Sequence, residues 1–83
     1  MPLKLDAPVT VIFGYDARKS VVKPLIIKWD GREYKIIKIG FHHTYREGRT
    51  LFHVFSVAST TAFFRLILNT DNLFWRLTEV EGD

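Results

Sequence analysis

Leu25-Ile26-Ile27-Lys28-Trp29-Asp30-Gly31-Arg32-Glu33-Tyr34-Lys35-Ile36-Ile37 decides the fold. Two runs rich in β-branched and aromatic residues flank a two-residue Asp-Gly loop. That dipeptide favours a type I′ hairpin turn, because both loop positions need a positive φ. Across the loop Trp29 faces Arg32, Lys28 faces Glu33, Ile27 faces Tyr34 and Leu25 faces Ile36. An aromatic–cation pair, an opposite-charge pair and two apolar pairs are favourable cross-strand neighbours, each worth about 0.2–1 kcal/mol. The hairpin thus carries its own register, and faces can be assigned outward from it.

Toward the N-terminus, residues 9–15 alternate as a strand with Val9, Val11, Phe13 and Tyr15 on one face, followed by a polar, basic connection at 16–20. The strand at 22–29 contains Pro24, which has no N–H for a ladder and so indicates a sheet edge. Beyond the Asp-Gly turn, a third strand extends from 33 to 45. Glu47-Gly48 supplies a second turn between Arg46 and Arg49; it pairs Tyr45 with Thr50, His43 with Phe52, His42 with His53 and Gly40 with Phe55. A loop longer by one residue exchanges the faces of one strand.

Ser59-Thr60-Thr61 punctuates the chain before residues 62–68. Thr60 or Thr61 would suit a helix cap, but seven residues make a poor helix and their composition suits a buried strand. A turn at 69–72 leads into a last strand at 73–80 with Leu73, Trp75 and Leu77 on one side. The expectation is an all-β fold: a six-stranded antiparallel meander. Ile26, Ile37 and Phe63 lie beside other large apolar residues, so several strands are apolar on both faces. Such a sheet is expected to be strongly curled or closed into a small barrel, or to have its second face covered by a dimer partner.

The 83 residues form one small β domain, 1–83, too apolar at 47% hydrophobic to be a disordered tail. Residues 1–50 hold ten basic and five acidic side chains, while 51–83 hold two and four. A basic half suits a polyanion. The absence of cysteine excludes disulfides and cysteine-bound zinc and fits a reducing cytoplasm. The first residues lack a signal-peptide core and no apolar run approaches the ~20 residues of a membrane helix, so a cytoplasmic protein with no membrane partner is expected.

The chemistry-bearing residues are few. His42 and His53, placed opposite each other, are near enough to share a metal ion. Two ligands with no carboxylate beside them fall short of a structural zinc site, so no metal is expected. Asp16, Asp30, Glu47 and Asp71 lie in turns, Ser20, Ser56 and Ser59 have no His/Asp partner, and no glycine-rich phosphate loop occurs; neither catalytic residues nor a cofactor are expected. Lys38, His42, Arg46, Arg49, His53 and Phe55 share one side of the third and fourth strands. Cations neutralise phosphates and exposed aromatic rings stack on bases, so these six are the candidate nucleic-acid-binding residues.

The motifs Pro24-x4-Trp29-x-Gly31-Arg32-x-Tyr34, Phe52-x2-Phe55 and Asp71-x3-Trp75-x-Leu77 together resemble those of one protein family. It consists of uncharacterised small β domains found alone in bacteria or C-terminal to actinobacterial Y-family lesion-bypass DNA polymerases. The resemblance spans roughly residues 9–80 and rests on core and turn residues. It implies the fold and, through its polymerase neighbours, a nucleic-acid-associated role, with no catalytic residue to carry over. The expected function is a non-enzymatic binding module contacting single-stranded DNA or RNA through its basic face. The alternative is a protein-interaction module, a homodimer or accessory domain, using surplus apolar residues Ile26, Ile37, Phe63 and Ile67.

Overall fold

The computed structural model describes residues 3–82 and is all-β. Among the described residues there are eight strands: β1 (Leu3–Pro8), β2 (Thr10–Asp16), β3 (Val21–Trp29), β4 (Arg32–Lys35), β5 (Lys38–Glu47), β6 (Thr50–Ala58), β7 (Ala62–Asn69) and β8 (Phe74–Gly82). They form two antiparallel sheets, one of five strands ordered β1-β8-β7-β6-β5 and one of three ordered β2-β3-β4. The expected six-stranded meander or closed barrel is therefore corrected to a two-sheet sandwich. Hydrogen-bonded neighbours are still consecutive in sequence, except where β1 pairs with β8.

Two changes of sheet account for the difference. The Ile36 N–H donates to the Leu25 carbonyl within the small sheet at 2.9 Å, and the next residue, Ile37, donates to the Ala58 carbonyl of β6 at 2.8 Å. What reads in sequence as one long strand thus bends between its halves and serves both sheets, which is how stacked sheets make corners. At the other corner the Val9 N–H donates to the Trp75 carbonyl at 3.2 Å, and Thr10 already pairs with Lys28 of β3. β1 itself was not expected from the sequence.

The Asp-Gly hairpin has the expected register, with Trp29 opposite Arg32, Lys28 opposite Glu33 and Ile27 opposite Tyr34. Asp30 and Gly31 have φ of 53° and 74°, as a type I′ turn requires. Pro24, in contrast, sits in the central strand of its sheet rather than at an edge. It is tolerated because the β2–β3 ladder shifts register beside it, between Ile12 and Phe13, and because β4 pairs no further along β3 than Ile26.

The core lies between the sheets. Phe55 and Val57 of β6, Phe64, Leu66 and Leu68 of β7, and Trp75 and Leu77 of β8 face inward, with Ile27 among them from the small sheet. Leu66, Leu77 and Ile27 are completely buried. Tyr34 meets Phe64 edge to face with centroids 4.9 Å apart, and Phe13 meets Trp75 at 5.5 Å, so one aromatic pair bridges the sheets near each corner strand. The small sheet thereby covers one face of the large sheet. The other face remains open, and Phe63 and Phe74 project from it, 62% and 67% exposed.

Candidate nucleic-acid interface

The candidate residues lie on the β5–β6 hairpin, whose turn differs from expectation by one residue. Glu47 pairs with Thr50, so Gly48-Arg49 is the loop, not Glu47-Gly48. Gly48 has a φ of 62°, and Arg49 is not among the positive-φ residues. A glycine in the first loop position is the signature of a type II′ turn, whereas a Glu-Gly type I′ turn would have forced Glu47 into the left-handed region. The pairing moves accordingly: His42 lies opposite Phe55 and Thr44 opposite His53. Because the change in pairing is an even number of residues, His42 and His53 stay on the same face, as diagonal neighbours.

That diagonal brings the rings together. His42 Nε2 and His53 Nδ1 are 2.8 Å apart in a hydrogen bond, with ring planes 16° from parallel. The His42 ring lies flat on Phe55, centroids 4.3 Å apart and planes 5° from parallel. Desolvation, then the charge of His53 and that of His43, hold the His42 imidazole below its ordinary range. Desolvation does the same for His53. A bond between two imidazoles needs a lone pair on one of them, so at most one ring of the pair is protonated while it lasts. When both are neutral the pair offers one outward donor and one outward acceptor, and exchanging tautomers exchanges the two.

The six candidates do not all converge. Arg46 shares the inward face with His42 and His53, and Arg49 stands exposed in the loop. Phe55 is 1% exposed and packs against Trp75 at 5.7 Å, so it is core under His42, not a platform open to a base. Lys38 also departs from the expected face. The β5–β6 ladder shifts register between Ile39 and Phe41, which leaves Gly40 as a bulge and sets Lys38 opposite Ala58, in the row of the open face.

Reasoning from sequence did not find the cleft beside this hairpin. A cavity of about 470 Å³ opens between the sheets, lined by Pro24 and Leu25 of β3, Ile36 and Ile37 of the corner, Ile39 and His42 of β5, and Phe55. Lys23 and Lys38 also line it. Its size is within the range of small-ligand sites. The only usable signal was the doubly apolar Ile36-Ile37 pair, whose bend opens the cleft.

Arg65 pairs with Glu79 at 3.4 Å and Arg76 with Asp6, both on the open face of the large sheet. Among the described residues Lys23, Lys38, Arg46 and Arg49, like Lys4, Arg18, Lys19, Lys28, Arg32 and Lys35, have no carboxylate within ion-pair distance. No group of three or more His, Cys, Asp or Glu able to hold a metal occurs among the described residues, and no helix is long and apolar enough to cross a membrane. The surplus apolar residues are scattered: Phe63 and Ile67 are on the open face of the large sheet, Ile26 is in the small sheet and Ile37 is at the corner.

What the fold and this surface define is a small two-sheet β domain with a cationic hairpin beside an apolar cleft. Comparison with protein-family models, curated proteins and solved structures finds no match to this chain.

Proposed function

We propose that the chain is a non-enzymatic binding module that contacts single-stranded nucleic acid along the inward side of the β5–β6 hairpin and the mouth of the adjoining cleft. The observation that carries this reading is the grouping of four cations without an ion-pair partner around the hairpin and the cleft. Among the described residues, Arg46 and Arg49 on the hairpin and Lys23 and Lys38 at the cleft have no carboxylate within ion-pair distance and are left for an external anion. Phosphates would follow these four cations. A base would stack at the His42–His53 pair, whose interchangeable donor and acceptor suit sequence-tolerant contact. The resemblance of the Pro24-to-Tyr34 hairpin to domains that accompany lesion-bypass polymerases is in keeping with this role. So is a cytoplasmic setting for a chain without cysteine.

Fluorescence anisotropy with a labelled mixed-sequence single strand at low salt tests the reading. Binding should weaken with salt, and each phosphate no longer neutralised by a side chain should flatten the log–log slope by about 0.7. Arg46→Ala with Arg49→Ala is thus expected to weaken binding and reduce the slope by about 1.4. Absence of binding at tens of micromolar protein, or a double variant with an unchanged slope, overturns it.

A further inference from the structure

We propose that β5 pairs antiparallel with β5 of a second copy of this chain, about a two-fold axis passing through His43 perpendicular to the sheet. This interface does not rest on the nucleic-acid reading, although Lys38 would serve both.

β5 is the last strand of the large sheet, ten residues long and exposed at every one of them. Phe41 and Tyr45 are 55% and 39% exposed. Long edge strands normally carry protection, such as proline, a short length, a bulge in mid-strand or charged side chains; the charges of β5, Lys38, Arg46 and Glu47, are confined to its two ends. β5 has no proline, and its bulge is near one end, at Gly40. The two-residue loop closes on a hydrogen-bonded pair at Glu47 and Thr50, so the odd residues from Phe41 to Glu47 bond to β6. The N–H and C=O groups of His42, Thr44 and Arg46 therefore point to the free edge.

The occupant follows from the side chains. In an antiparallel pair, opposed residues share a face, so self-pairing can only oppose odd with odd and even with even within the regular stretch from Phe41 to Glu47. Centring the axis on His43 opposes Phe41 to the partner's Tyr45, and by symmetry Tyr45 to the partner's Phe41. The Gly40 bulge then has a consequence: having absorbed one residue, it brings Lys38 opposite the partner's Glu47 on the same open face. Both ends of the pairing thus carry opposite charges, and both flanks of the axis carry an aromatic pair.

Neighbouring registers lose these matches. Centred on His42, the strands oppose Phe41 to the partner's His43 and Lys38 to the partner's Tyr45. Centred on Thr44, they oppose Phe41 to the partner's Glu47 and His42 to the partner's Arg46. Of these three registers the His43 one alone is complementary in charge and in apolar surface at once, and a closed two-fold contact of this kind makes a dimer rather than a fibre. The product is a continuous ten-stranded sheet, two copies of the five-stranded one.

At the axis the two His43 Cα atoms would be about 4.5 Å apart, as in a pair that exchanges no hydrogen bonds, a span that a disulfide can bridge. The chain has no cysteine of its own, so His43→Cys introduces one thiol per copy. Under mild oxidation this variant is expected to become a covalent dimer, while Phe63→Cys, also exposed on the same sheet, stays monomeric. Light scattering against concentration should show a reversible dimer for the unmodified chain. Lys38→Glu and Glu47→Lys should each weaken it about tenfold by placing like charges together, and mixing the two variants should restore association through the swapped pair. A chain that stays monomeric at hundreds of micromolar overturns the proposal. So does a dimer that His43→Cys fails to cross-link or that ignores both charge reversals.

Discussion

His42 and His53 are bound to each other through a single 2.8 Å contact between Nε2 and Nδ1, on top of the buried Phe55 ring. Burial and the neighbouring imidazoles lower the affinity of His42 for a second proton, and burial lowers that of His53. An unfolded imidazole titrates near about 6.5. As pH falls through that value the unfolded chain takes up protons before the folded one does. Stability is therefore full above the unfolded value and declines as pH falls toward and through the lowered folded values. Urea midpoints measured from about pH 8 to pH 5 should fall, and His53→Gln should make the decline shallower. An identical pH profile for the variant would contradict the assignment.

Gly31 and Gly48 can be separated from Gly40 by one substitution each. Cβ atoms at Gly31 and Gly48 would meet nothing within 4 Å, yet their φ values of 74° and 62° are in the left-handed region. Alanine at either should cost about 1 kcal/mol or somewhat more, from backbone strain alone. Gly40 has an ordinary φ, and its added Cβ would be 3.6 Å from the Ser56 carbonyl oxygen, an acceptable contact. Thermal denaturation of the three alanine variants should rank Gly40→Ala as the mildest.

Leu66 and Leu77 are opposed on β7 and β8, and both are completely buried. Truncating either to alanine leaves a cavity between the sheets and should cost about 2–5 kcal/mol. Domains of this size have little stability to spare. Either variant should lose its cooperative unfolding transition or show it at much lower denaturant. A loss under about 1 kcal/mol would mean that the sheets do not pack as described.

Trp75 is 6% exposed, and its buried Nε1–H has no hydrogen-bond acceptor among the described residues. Trp75→Phe removes that orphan donor and leaves a modest void, two effects of opposite sign. The net change should stay within about 1.5 kcal/mol, against about 3–5 kcal/mol for Trp75→Ala. Chemical denaturation followed by circular dichroism measures both, and equal losses would show that the indole nitrogen is satisfied in solution.

Arg65 and Glu79 form their ion pair on the open face, with the arginine half exposed. Exposed pairs contribute about 0–1 kcal/mol, so Arg65→Ala should shift the unfolding midpoint only slightly, and less still in high salt. A large salt-independent loss would point to packing of the arginine stem rather than to charge.

Local chemistry made much of this legible. The Asp30-Gly31 turn, the pairs across it and the strands around residues 50–58, 62–68 and 74–80 follow from turn residues and alternation, and the structure contains them. The candidate site was less legible. Arg46, Arg49, His42 and His53 were placed on a common hairpin, but the exchange of a Glu-Gly for a Gly-Arg loop altered which residues oppose one another. Phe55 alternates in phase with His53 and reads the same whether its face is wet or dry. Its burial depends on Trp75, twenty residues further along the chain.

Positive-φ glycines, alternating side chains and paired charges act over two to ten residues, so the amino-acid sequence by itself determined most of the strand segments, the antiparallel pairing of consecutive ones and the Asp30-Gly31 hairpin. Where a strand leaves one sheet for the other was decided only in three dimensions. The bends at Val9 and at Ile36-Ile37 exist because apolar side chains on both faces of the chain have to be buried, and the small sheet covers one side by folding across it. The same bends open the apolar cleft and leave β5 as a free edge. No local preference specifies these features, since each depends on contacts between strands distant in sequence.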